Sequence, residues 1–238
     1  MTFFEVLVEG ASDVSAVREV LTRKFQLVES VDFRIHPHRG RGNLPANPLA
    51  RPDPKQQTLL HQLPAKLKGF SYLEANCCVV VVVDADDTPC VDFLAQLNGM
   101  LAQLPKKPQR VLFRLAIEET ESWFIADERA IRIAFPNAST QALRAVAPDA
   151  IVGAWEMLAD ALRVRRRDVT GADKFAWSAQ IAPHLELDQP RSPSLCKLIQ
   201  GIDRELQSNV ASLARSTTSK PRSSIRRSRR QNSIGISK

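Results

Sequence analysis

The sequence has no apolar run long enough to cross a bilayer. Its longest, Cys77–Val83, is far short of the roughly 18–20 residues that a spanning helix needs. It has no export signal pattern either: MTFFEVLVEG carries Glu5 inside its apolar stretch and lacks a basic lead-in. The cytoplasm is therefore the expected compartment, with no membrane partner. Cysteines are few (Cys77, Cys78, Cys90 and Cys196), with no C-x-x-C pair and no partnered histidine spacing. That pattern excludes a zinc-ribbon framework and gives no reason to expect disulfides. Tyr72 is the only tyrosine, and Trp123, Trp155 and Trp177 fall in helical patterns, so they read as core rather than as base-stacking platforms. No Gly-x-x-x-x-Gly-Lys-Ser/Thr is present, so the chain carries no P-loop. No Gly-x-Ser-x-Gly frames a nucleophilic serine, and Ser192-Pro193-Ser194 reads as a helix start with Ser192 as cap.

Positive charge is present but unevenly placed. The formal net charge is +7, yet residues 215–238 hold eight Lys and Arg and no acid. Without them, 25 basic residues face 26 acidic ones, so the body is close to neutral. Residues 209–238, rich in Ser and Arg, are expected to form a disordered basic tail, open to nonspecific nucleic-acid contact.

The body alternates strand and helix patterns. Phe3–Glu9 reads as a mostly apolar strand, followed by a helix capped by Ser12 or Asp13 with Val14, Val17, Leu21 and Phe25 at helical spacing. Val31, Phe33 and Ile35 alternate as a second strand ending near His36. Residues 37–54 hold five prolines and form a loop. Leu59–Lys68 is helical, Cys77–Val83 is a strand buried on both faces, residues 93–104 are helical and Val111–Ile117 is the next strand. Helices then follow at Glu119–Phe135, Ile151–Leu162, Lys174–His184 and Ser194–Leu206. This order predicts an α/β fold, a Rossmann-like and mostly parallel sheet flanked by helices, with a C-terminal helical subdomain. The expected division is an α/β domain over 1–127, a helical subdomain packed on it over 128–208, and the tail.

The acids fall at the ends of the strands. Glu9 closes the first strand and precedes Gly10; Asp84, Asp86 and Asp87 follow the valine run; Glu118, Glu119 and Glu121 follow the last strand. In a parallel sheet these groups meet at one edge, the edge where such sheets bind ligands. Crowded carboxylates raise one another's pKa, and a divalent ion such as Mg²⁺ or Mn²⁺ relieves the repulsion. Asp84 and Asp86, two apart in extended chain, are expected to point the same way. Taken singly, each acid is equally readable as a helix cap, a turn residue or a solvated first turn. His36, His38, Arg39 and Arg41 follow the second strand, either as phosphate ligands or as an ordinary surface loop, and Lys174 either reaches the site or is solvated.

FEVLVEGASD and VVVVVDADD, in this order, resemble a Toprim domain, the fold shared by topoisomerases, DnaG-type primases and OLD-family nucleases. In that family the glutamate before glycine corresponds to Glu9, and Asp84-Ala85-Asp86 matches the Asp-x-Asp that holds Mg²⁺. RGRGNL (Arg39–Leu44) and EETESWFIAD (Glu118–Asp127) are similar to DUF4276, a bacterial Toprim-like family, with Arg41 where a lysine is expected. The resemblance spans residues 3–200 and implies a Mg²⁺- or Mn²⁺-dependent nuclease acting on DNA or RNA, with a bacterial defence role beside an ATPase partner. The alternative is a catalytically silent binding module of an ATPase complex. Glu9, Asp84 and Asp86 are then the expected catalytic residues, and these three with Glu119 and Glu121 the expected metal ligands. Arg39, Arg41, His38 and Lys174 are the expected substrate contacts. VVVVVDADDT also resembles the opening motif of haloacid-dehalogenase-type phosphatases, but here a full β-α-β unit precedes it.

Overall fold

A run of five valines can be satisfied only by burial on both of its faces. In the computed structural model, which describes residues 2–145, 147–149 and 153–218, it becomes β3, Cys77–Asp84. Cys78, Val80 and Val82 enter one core and Val79, Val81 and Val83 the other. β1 (Phe3–Val8), β2 (Phe33–Pro37) and β4 (Val111–Ala116) complete a four-stranded parallel sheet in the order β2-β1-β3-β4. In register, Phe4 lies opposite Phe33 and Cys78, and Val79 lies opposite Val111. The buried Glu5 on β1 is held by His36 of β2 at 2.6 Å.

The crossovers fix where a ligand can enter. From β1 the chain runs outward to β2 through α1 (Ala11–Glu19), which continues into a wider π-type turn, Val20–Lys24. It returns past β1 to β3 through α2 (Leu59–Gly69) and goes on to β4 through α3 (Cys90–Gln103). Val17 of α1 and Val20 of the turn that follows it pack in one core, whereas Leu63 of α2 and Leu97 of α3 pack in the other. The direction of winding therefore reverses between β1 and β3, which opens a crevice beyond their carboxyl ends.

The helices begin and end where local side chains dictate. α1 starts ahead of the expected Ser12 or Asp13 cap: Gly10 occupies the capping position, and the Asp13 carboxylate folds back to accept its N–H at 2.8 Å. The expected single helix over 119–135 is two, α4 (Glu121–Ile125) and α5 (Glu128–Ala134). Asp127 separates them by accepting the N–H groups of Ala130 (2.9 Å) and Glu186 (2.8 Å), so the chain turns and starts a new helix. α6 (Ala154–Ala161), α7 (Gly171–Ile181) and α8 (Pro193–Thr218) follow. Residues 151–152 of the expected α6 lie outside the described residues. α7 opens with a reciprocal Thr170–Asp173 cap, and Ser192 accepts the Leu195 N–H at 3.2 Å as the cap of α8.

These helices do not form a separate core. Leu158 of α6, Trp177 of α7 and Leu198 of α8 pack in the same cluster as Val6, Val17 and Val80. α8 runs well past Leu206, through residues first read as tail, and residues 219–238 lie outside the described residues. No helix among the described residues is long and apolar enough to cross a membrane.

Candidate functional site

Five carboxylates gather at the reversal point. Glu9 follows the last residue of β1, Asp84 ends β3, and the two strands are neighbours, so the Asp84 N–H donates to Glu9 Oε1 at 2.7 Å. Asp13 is brought in by the first turn of α1 and also accepts the Thr120 hydroxyl at 2.7 Å. Glu119, in the turn after β4, and Glu121, the first residue of α4, share Lys174 of α7, at 3.5 and 3.6 Å. The Lys174 ammonium also lies 4.9 Å from the ring centroid of Trp155, on α6.

The electrostatics of the group are strained in one direction. Burial pushes Glu9 up to about 8 despite the N–H of Asp84, with the charges of Asp13 and Asp86 adding to the rise. Burial, with Glu121 beside it, raises Glu119 to about 7 against the pull of Lys174. Asp84 is pushed well above the usual carboxylate range, by burial first and then by Glu9, Asp13, Glu121 and Glu119. Asp13 and Glu121 are raised by burial as well. One Lys174 does not neutralise this much acid. Asp84 Oδ1 and Glu119 Oε2 are moreover buried without a hydrogen-bond partner.

The remaining sequence-predicted residues take distinct places. Asp86 leaves the alternation of β3: its backbone is left-handed (φ 44°) and bridges to Glu118. Its carboxylate pairs instead with Arg41, which also bonds Thr88 Oγ1 at 3.0 Å and lies 4.6 Å from the Phe93 ring centroid. His38 donates through Nδ1 to the Val8 carbonyl at 2.8 Å, burial lowers its pKa, and its buried Nε2 has no partner. Arg39 is exposed on the loop after β2. Glu118 is a helix cap, accepting the N–H groups of Gly153 and, at 2.8 Å, Ala154.

Asp13 and Thr120 escaped the sequence reading. Asp13 was legible only as a helix-start residue, because Gly-x-x-Asp is equally a cap signal; its place among the carboxylates follows from α1 starting at the strand end. Trp155 was read as core and is half-buried under Lys174.

The donor set suits a hard divalent cation, since it is all carboxylate oxygen and contains neither thiolate nor free imidazole. The two unpartnered oxygens, Asp84 Oδ1 and Glu119 Oε2, are acceptors that protein donors leave free. Among the described residues no three His, Cys, Asp or Glu side chains already stand together as a formed metal site. Each acid is instead drawn aside by a local donor: Glu9 by the Asp84 N–H, Asp13 by Gly10 and Thr120, Asp86 by Arg41, and Glu119 and Glu121 by Lys174.

Two solved structures are similar to the chain at low identity. Both are of the C-terminal region of the Xanthomonas campestris pv. campestris OLD protein. The one phased with iodine is 13% identical, with a TM-score of 0.48, and the match covers 88% of this chain and 98% of that one. The one phased with platinum is 11% identical, with a TM-score of 0.45, over 91% and 97% of the two chains. No curated protein matches the chain. The model of the family described as Domain of unknown function (DUF4276) matches residues 8–203, and the chain belongs to that family.

Proposed function

We propose that the chain is a Toprim-type phosphodiesterase that uses Mg²⁺ or Mn²⁺ to cleave DNA or RNA. The observation that carries this reading is the meeting of Glu9 and Asp84 at the reversal point of the sheet, inside a group of carboxylates whose pKa values are all raised. Such a group holds more negative charge than the protein neutralises, and the polymer it would act on brings a phosphodiester that also needs positive charge nearby.

Asp84 and Glu9 would hold the ion, joined by Glu119 and Glu121 on the far side of the crevice. Asp86 would join them only on leaving Arg41. The bound ion would supply positive charge to a phosphoryl oxygen and to the leaving oxygen. Where Glu9 stays off the ion instead of completing its shell, its pKa, raised to about 8 by burial, would give it the basicity to accept or return a proton near neutral pH. Arg41, fixed by Thr88 and Phe93, offers a guanidinium at the mouth for a phosphate oxygen. Lys174 is placed to carry its charge from Glu119 and Glu121 toward the phosphate.

The test is cleavage of plasmid and single-stranded DNA and of RNA with Mg²⁺ or Mn²⁺. Asp84→Ala and Glu9→Gln are each expected to lower the rate at least about a hundredfold, the scale of losing one preorganised stabiliser of transition-state charge. Undiminished cleavage by the Asp84→Ala protein would reject the assignment.

A further inference from the structure

Several cations around the sheet are spent on carboxylates. Arg18 pairs with Glu29, Lys24 with Asp188, Arg41 with Asp86, Arg110 with Glu205, and Lys174 with Glu119 and Glu121. Arg39, Lys55 and Lys66 are among those that are not. Among the described residues none of the three has a carboxylate in ion-pair range, and all three stand in one region.

That region is concave. Two confluent grooves of about 540 Å³ each share Arg39 and Gln57. One runs past His38 and Lys66 to Ala11 at the start of α1; the other runs past Lys55 and His61. No acidic side chain and no Phe, Tyr or Trp lines either groove, and the remaining polar walls are glutamine, asparagine and threonine. The loop that lines the grooves is tied through its backbone to the strand end that carries Glu9. The Gly40 N–H bonds the Glu9 carbonyl at 2.9 Å, and the His38 N–H bonds the Val8 carbonyl at 3.1 Å.

Unpaired cations spread along a trough suit a ligand whose negative charges are also spread out, rather than a single anion. We infer that the two grooves carry the phosphodiester backbone of a nucleic-acid strand away from the carboxylate crevice, with Arg39, Lys55 and Lys66 meeting successive phosphates. The inference rests on the nuclease reading for what the strand meets at the crevice, and adds the surface that holds it. With no aromatic ring for a base to stack on, the grooves grip the backbone without regard to sequence.

The experiment is binding of labelled single-stranded and duplex oligonucleotides in EDTA, across a salt titration, with the full chain. The test protein is Arg39→Gln/Lys55→Gln/Lys66→Gln; the control removes the same charge elsewhere, as Arg132→Gln/Arg165→Gln/Arg167→Gln. Thermal melts verify that both fold, and single Lys55→Gln, an exposed position, serves if the triple variant does not. Each lost phosphate contact lowers the log–log salt slope by about 0.9 on duplex or about 0.7 on a single strand. The groove variant should therefore lose about two to three units of slope, with at least a tenfold loss of affinity at low salt that is equal for all base sequences. The control should leave the slope unchanged, whereas single Lys55→Gln should lower it by about 0.7 to 0.9. Equal slopes for wild type, groove variant and control would overturn the inference. Metal-dependent cleavage by wild type alongside such equal slopes would sink the groove alone. Groove-dependent binding with no cleavage under Mg²⁺ or Mn²⁺ would sink the nuclease reading and leave the groove standing.

Discussion

Asp84 is where stability and the proposed chemistry pull against each other. Its Oδ1 is buried without a donor, and Glu9, Asp13, Glu121 and Glu119 all press its pKa upward on top of burial. A side chain selected only to stabilise this strand end would be neutral there. Asp84→Asn keeps the shape and removes one charge, so in EDTA at pH 8 it is expected to melt at a higher temperature than the wild type while losing metal-dependent cleavage. A lower melting temperature for the variant would mean that the carboxylate is compensated and the repulsion argument fails. Arg41 supports the same view from the mouth of the site. It makes a hydrogen bond to Thr88 and a ring contact with Phe93 besides its ion pair, a planar fit that the smaller ammonium of a lysine does not reproduce.

At the scale of elements, α8 packs closely on β4. The Arg114 guanidinium donates to the Lys197 carbonyl at 2.8 Å, and a Cβ built on Gly201 would lie 2.4–2.7 Å from that guanidinium. Gly201→Ala must therefore displace Arg114, and the lost hydrogen bond offsets the roughly 1 kcal/mol that alanine gains over glycine inside a helix, so the net change is expected to be close to zero. In an Arg114→Ala background the same substitution should stabilise by about that 1 kcal/mol, as a double-mutant cycle by denaturant unfolding would register; additive effects would refute the contact. The strands themselves were readable because apolar runs closed by acids mark both an inner strand and its exit. The helical breaks were less so. In EETESWFIADERA the helical pattern runs unbroken through Asp127, and only the Glu186 N–H, brought near by the fold, shows why that carboxylate ends one helix and starts another. The alternation expected of Asp84 and Asp86 fails because the backbone turns left-handed at Asp86. Asp13 was hidden by serving also as the partner of the Gly10 N–H.

For the whole molecule, the carboxylate group sets how stability varies with pH. Glu9 (about 8), Glu119 (about 7), Asp13, Asp84 and Glu121 all have folded-state pKa values above their unfolded ones, so between these values the folded chain binds more protons. Their contribution is fully present below the ordinary carboxylate range of about 4 and is lost as pH rises through the raised values. The salt-bridged or capped Glu128, Asp160, Asp173 and Asp188 act oppositely, but their lowered pKa values confine their effect to pH below that ordinary range. His38, lowered by burial, favours the fold above its ordinary value of about 6.5 and offsets the trend by one group. In EDTA the melting temperature is therefore expected to fall between pH 5 and pH 8.5. An ion that binds only the folded carboxylates adds about 2.7 kcal/mol at a hundredfold excess over its Kd, and it competes with protons, so its benefit grows with pH. Melts in Mg²⁺ or Mn²⁺ should accordingly flatten or reverse the decline in the wild type and leave it unchanged in Asp84→Ala. A melting temperature independent of pH in EDTA, or one indifferent to both ions at pH 8.5, would show that these acids do not form one electrostatic unit.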